Sequence, residues 1–160
     1  KGELQFTHIK KRFGGKPTKH LFDKGERAMV MVEGQGMLRY SPAEGERFQV
    51  FKHGAEPGYF IEEYIYAFGD TPAWENGRLP GNKGNDLLIF HILDESDLVL
   101  CCPREIVRHQ LNDTDRFRLR VKELVGWRGD LVPRIFDAER PLPGGMWIEL
   151  TGTGEALSLG

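Results

Sequence analysis

Period-2 alternation of apolar and polar residues along most of the chain predicts a mainly β fold with one or two short helices, an α+β domain built as a barrel or, alternatively, a β-sandwich. Two further observations support this class. The alternating runs are separated by clusters of Gly, Pro, Asn and Ser, and only one segment has apolar residues at helical spacing. With 160 residues, 39% hydrophobic and 29% charged, the chain is long enough for one domain with a substantial core and too apolar for disorder.

Residues 1–20 read as a basic arm. Residues 28–33, 37–40 and 47–52 read as short strands, parted by Glu33-Gly-Gln-Gly36 and Ser41-Pro-Ala-Glu-Gly45. Residues 59–68 form the most aromatic strand, with Phe60, Tyr64, Tyr66 and Phe68 on one face and Ile61, Ile65 and Ala67 on the other. Residues 69–86 read as a loop, and structureless loops beyond about 12–15 residues are uncommon and often functional. The continuous apolar run 87–93 suits a buried strand, and 98–101 another. Pro103 suits a first helical position, and Val107 and Leu111 lie four apart, so 104–111 is expected as a helix. Residues 146–150 read as a strand, and 151–160, small and Gly-rich, as a flexible tail. Because the chain starts at Lys1 with neither an initiator methionine nor an apolar leader, it is expected to be part of a longer protein.

The net charge of −2 is unevenly placed. Residues 1–20 hold six basic residues against Glu3 alone, residues 21–103 seven basic against fourteen acidic, and residues 104–134 eight basic against five acidic. Basic segments of this kind either meet a polyanion or form a solvated surface. No apolar run reaches the ~18–20 residues that a transmembrane helix requires. Cys101 and Cys102 are adjacent, which disfavours a disulfide between them, and no Cys/His quartet suits zinc. An intracellular compartment is expected, cytoplasmic in a prokaryote or nuclear in a eukaryote.

Residues 116–122 carry the sharper electrostatic signal. Phe117, Leu119 and Val121 alternate with Arg116, Arg118, Arg120 and Lys122, so a strand would bury the first set and display the second. The cations would then stand roughly 6.8 Å apart, near the separation of successive phosphates. A charged row also protects a strand edge from aggregation, and a helix here would scatter the cations around its axis. The loop 69–86 adds Asp70 and Trp74 to the tyrosines of the preceding strand, a set able to stack on and hydrogen-bond a planar guest. The five histidines show no HxH or HExxH pairing, no G-x-S-x-G elbow is present, and no Walker or dinucleotide glycine motif occurs. No catalytic residue, metal or cofactor is therefore assigned.

The segment His8-Ile-Lys-Lys-Arg12-Phe13-Gly14-Gly15 resembles the H-x-x-x-[KR]-[FY]-G-G opening of SRA-like (SET and RING associated) domains fused to bacterial HNH restriction endonucleases. Glu33-Gly34-Gln35-Gly36 is similar to their G-E-G-Q turn, and residues 43–51 with Gly58-Tyr59-Phe60-Ile61 are similar to the strand pair that follows. The resemblance covers residues 8–70 and resumes at 87–93. It implies a PUA/SRA-like open β-barrel that binds double-stranded DNA and flips a modified base, of the methylated-cytosine type, into an aromatic pocket. The implied base pocket is Tyr59, Tyr64, Tyr66, Asp70 and Trp74, with Asp70 accepting from a cytosine amino group. The implied phosphate contacts are Lys10, Lys11, Arg12, Lys16, Arg116, Arg118, Arg120 and Lys122. Any nuclease would lie in other domains of the parent protein, since no HNH motif is present.

Two other classes remain open from the residues themselves. A small β-rich hydrolase or toxin-like domain would use Asp70, His91 or His53 for proton transfer, and needs a carboxylate within hydrogen-bond reach of a histidine. A protein-interaction module would capture an extended segment at an exposed strand edge.

Overall fold

The computed structural model describes residues 3–13, 16–18, 29–69, 73–80, 86–136 and 146–160. These residues are mainly strand, with no α-helix among them and with 3-10 turns at Glu62–Tyr64 and Val121–Glu123. No helix among them is long and apolar enough to cross a membrane. The strands are β1 (Leu4–His8), β2 (Arg12–Phe13), β3 (Lys16–Pro17), β4 (Val30–Gly34), β5 (Arg47–His53), β6 (Gly58–Ile61) and β7 (Ile65–Phe68). They continue as β8 (Trp74–Leu79), β9 (Leu87–Ile92), β10 (Ser96–Cys102), β11 (Ile106–Leu111), β12 (Arg116–Arg120), β13 (Leu124–Phe136) and β14 (Trp147–Leu159).

A three-stranded sheet, β5-β10-β7, packs on a seven-stranded sheet ordered β11-β14-β13-β6-β9-β8, with β12 also paired to β14. Two-stranded ribbons β1-β4 and β2-β3 complete the set. The sheets are stacked and do not close into a barrel. Alternation assigns the two faces of the large sheet to two cores. Phe60, Phe90, Ile92, Val125, Leu157 and Leu159 face the small sheet, where Phe51, Ile65, Leu98 and Leu100 meet them. Ile61, Ile89, Leu124, Trp127, Ile148, Leu150 and Ala156 build the second core on the opposite face. Strand β9 buries side chains on both faces, which is why its sequence reads as an unbroken apolar run.

The hairpin β13–β14 is the spine. Its open end, the N-terminal half of β13 with the C-terminal half of β14, lies between β6 and β11, and its turn end carries β12 on the β14 edge. The change of neighbour coincides with Gly129 and Gly152, both at positive φ. At Gly152, φ is +114° and a Cβ would stand 2.2 Å from the Asp130 carbonyl oxygen, so only glycine fits.

Five expectations about individual segments are corrected. Residues 104–111 are not a helix but enter β11, because β14 offers a free edge from Gly154 to Leu159 and Ile106 and Val107 are β-branched. The Gln49 amide reinforces the extended course, donating to the Arg104 carbonyl (3.1 Å) and accepting from the Ile106 N–H (3.0 Å). Residues 69–86 are not one loop: Trp74–Leu79 pair with β9 along six residues, with Trp74 and Asn76 turned inward. Residues 59–68 are broken by the 3-10 turn, which transfers the chain from the large sheet to the small one. Residues 151–160 are no tail but the C-terminal half of β14, with Ala156 and Leu157 fully buried. Residues 37–40 form no strand, whereas 116–120, where strand and helix were both open, form a strand.

Candidate functional site

Strands β12, β14 and β13 align three rows of side chains on their outer face. The register sets Arg120, Trp147 and Phe136 side by side, then Arg118, Glu149 and Arg134, then Arg116, Thr151 and Val132. The alternate positions Phe117, Leu119, Ile148, Leu150, Leu131 and Ile135 point into or onto the second core, which fixes the arginines outward. The local sequence therefore determines the face: every second residue is apolar and inward on all three strands.

The aromatic rings hold the guanidinium groups. Arg118 lies 5.7 Å and Arg134 5.1 Å from the Phe136 ring centroid, and Arg120 lies 5.8 Å from Trp147. Glu149, buried between them, accepts from Arg118 Nε at 2.6 Å and from Arg134 Nη2 at 3.5 Å. The hydrogen bond from Arg118 is the main reason its carboxyl is held below the usual range. Among the described residues, four arginines against one glutamate leave three formal positive charges on this face. Arg116 and Arg120 have no ion-pair partner among the described residues. Lys122 stands beyond them in the 3-10 turn, exposed, its carbonyl accepting from the Tyr64 hydroxyl at 3.4 Å.

The tyrosines and Trp74 are not brought together. Tyr59 faces the second core, in a cross-strand row running Glu75, His91, Tyr59, Trp127. Its ring stacks on His91 (4.2 Å, 11°) and on Trp127 (5.2 Å, 15°), and burial, then the nearby Glu75, raises its hydroxyl pKa. Trp74 lies in the first core against Phe68 and Phe90, on the other side of the sheet. Tyr66 sits on the outer face of the small sheet against Phe48 and Tyr40. Tyr64 is half-buried in the 3-10 turn, its hydroxyl pKa raised by burial and by Glu63. Asp70 lies outside the described residues.

The basic arm is likewise divided. Lys10 and Lys16 are exposed, but Lys11 is buried, and Arg12 spreads over Trp74 at 4.9 Å while its N–H donates to Asn76 Oδ1 at 2.8 Å. The arm thus docks at β8, the opposite end of the strand order from β11 and β14.

Sequence reasoning passed over Arg134, Phe136, Trp147 and Glu149. Their signal is the alternation within 131–136 and 147–151, which acquires meaning only once β12, β14 and β13 are known to be neighbours. It also passed over two polar pairs: His91 Nδ1 with Glu75 Oε1 at 3.1 Å, and His109 Nε2 with Ser158 Oγ at 2.8 Å. His53 is buried edge-to-face on Phe60, and desolvation, then Arg128, lowers its pKa. Among the described residues no three His, Cys, Asp or Glu side chains converge as a metal site requires. Comparison with protein-family models, curated proteins and solved structures returns no match.

Proposed function

We propose that this domain binds double-stranded DNA through the outer face of β12, β14 and β13. The supporting observation is the set of four arginines aligned beside Phe136 and Trp147, with one carboxylate holding two of them. Guanidinium groups in extended rows suit successive phosphates, and neighbouring aromatic rings suit a base or sugar face. The finer reading is a PUA/SRA-like module that takes a modified cytosine out of the stack. It rests on the His8–Gly15 and Glu33–Gly36 motifs. In this reading Phe136 and Trp147 take over base contact from Tyr59, Tyr64, Tyr66 and Trp74, which are divided between the two cores and the outer face of the small sheet. Any cleavage of the DNA belongs to other domains of a longer protein.

Anisotropy titrations of methylated and unmethylated duplexes over a salt series test both levels. Neutralising about three phosphates gives a slope of log K on log salt near −3. Absent or salt-insensitive binding removes the DNA reading; equal affinity for both duplexes removes only the modified-base reading.

The His91–Glu75 pair favours a second reading, a hydrolase in which this carboxylate–imidazole couple moves a proton. It requires that His91→Gln abolish turnover of a generic ester or phosphodiester substrate. Equal background rates in both proteins dismiss it.

A further inference from the structure

Strand β14 buries two carboxylates on one face of the large sheet, Glu149 and Glu155, and each is held from both neighbouring strands. At Glu155 the β11 side chain Gln110 donates through Nε2 at 2.7 Å, and Arg128 Nε of β13 stands at 3.1 Å. At Glu149 the β12 side chain Arg118 donates through Nε at 2.6 Å, and Arg134 Nη2 of β13 at 3.5 Å. The two clusters treat their cations differently. Arg128 is closed in: its side chain is 18% exposed, its guanidinium lies 5.2 Å from the Phe51 ring centroid, and Glu56 meets it as a second carboxylate at 3.5 Å. Arg118 and Arg134 are open, with side chains 53% and 62% exposed.

Glu155 shows that one cation and one neutral donor suffice to satisfy a buried carboxylate of β14. The second arginine at Glu149 is therefore surplus to the needs of that carboxylate. It also brings two like charges together over one ring, Phe136, at 5.7 and 5.1 Å. Because Arg118 meets Glu149 through Nε, its planar fork turns both Nη groups away from the carboxylate, toward solvent. The cluster keeps one positive charge. Among the described residues the adjoining rows, Arg120–Trp147–Phe136 and Arg116–Thr151–Val132, hold no acid. The next acids along this face, Asp130 and Asp113, lie about Thr153, two rows from Glu149.

We propose that Arg118 and Arg134 together seat one phosphodiester group of a bound duplex, and that Glu149 is the positioning residue that holds their outer N–H edges in place for it. The assignment rests on the DNA reading and deepens it. Charge selects the diester: the single positive charge of the cluster matches one phosphodiester, whereas a phosphate monoester carries about −1.5 to −2.

Glu149→Gln separates positioning from charge, because it adds one positive charge to the face. A glutamate that merely tempers the arginines would, once neutralised, give tighter DNA binding and a steeper salt slope. As a positioning residue its loss is expected to weaken binding of an unmethylated duplex about tenfold, the scale of one charged hydrogen bond. The slope of log K on log salt is expected to become shallower by about one, although a cation has been unmasked. Arg118→Lys keeps the charge but lacks the fork that meets carboxylate and phosphate together, and is expected to lose affinity as Glu149→Gln does. Arg116→Lys and Arg120→Lys, at positions that meet no described carboxylate, should bind within about twofold of the unmodified chain. Circular dichroism of each variant must match the unmodified spectrum; if Glu149→Gln fails this, Arg118→Lys against Arg116→Lys decides. Binding by Glu149→Gln that equals or exceeds that of the unmodified chain, or Arg118→Lys that binds as Arg116→Lys does, overturns the assignment alone. An unmodified chain that does not bind the duplex overturns the DNA reading and the assignment with it.

Discussion

Glu149 is only 6% exposed, and its carboxylate accepts from Arg118 and Arg134 on the adjacent strands. Its carboxyl is depressed from the ordinary 4.5, chiefly by Arg118, so the interaction stabilises the fold above that pH and is lost as pH falls through the folded value. Arg118→Ala should therefore lower the urea midpoint at pH 7 and cost progressively less below pH 4.5, where the two proteins converge. A constant difference down to pH 2 would mean that the arginine acts through packing on Phe136 alone. His53 gives the opposite-charge case on the same side of neutrality. Burial and Arg128 depress it from 6.5, so the unfolded chain takes up a proton first and stability falls as pH drops below 6.5. Its ring occupies the space of a Cβ at Gly58, which would stand 2.3 Å from Cε1, so only glycine fits there. His53→Gln is expected to flatten the pH dependence between 7 and 5 in thermal melts; an unchanged slope would reassign the acid sensitivity to other groups.

Among the elements, β14 decides the fold. It touches β11, β12 and β13 and feeds both cores, through Leu157 and Leu159 on one face and Ile148, Leu150 and Ala156 on the other. Leu157→Ala should cost about 2–5 kcal/mol in denaturant unfolding, as for a fully buried leucine. A loss within about 0.5 kcal/mol, typical of a surface change, would return the segment to the status of a tail. The contrast shows where the sequence was legible. Strands such as 47–53 and 87–92 announce themselves because each carries a pattern set by its own two faces, alternating where one face is wet and continuously apolar where both are buried. The segment Thr151-Gly-Thr-Gly-Glu does not, because its glycines serve close backbone approach to β13, a demand made by the partner strand. β8 was hidden for a similar reason: Asn76-Gly77 mimics a turn, while the Asn76 side chain serves as an acceptor for the arm. β11 carried a four-residue apolar spacing that an available sheet edge overrode.

At the scale of the molecule, charge is sorted by layer and by edge. The arginine rows occupy the outer face of β12, β14 and β13, and the lysine arm sits at β8, at the other end of the large sheet. The composition of residues 1–20 and 104–134 was readable in the chain, but their separation was not, since it depends on a strand order that no local pattern encodes. That separation yields a decisive comparison for the proposed DNA interface. Arg116→Ala with Arg120→Ala removes two cations that no described carboxylate neutralises, and should make the salt slope shallower by about two. Arg118→Ala should change it less, because Glu149 already compensates that charge. Lys10→Ala with Lys16→Ala, equal in charge removed, should leave the slope unchanged, because those side chains project from a different edge. If the lysine pair shifts the slope and the arginine pair does not, DNA runs along the arm, and the aligned arginines of β12 instead protect the β12 edge against pairing with another chain.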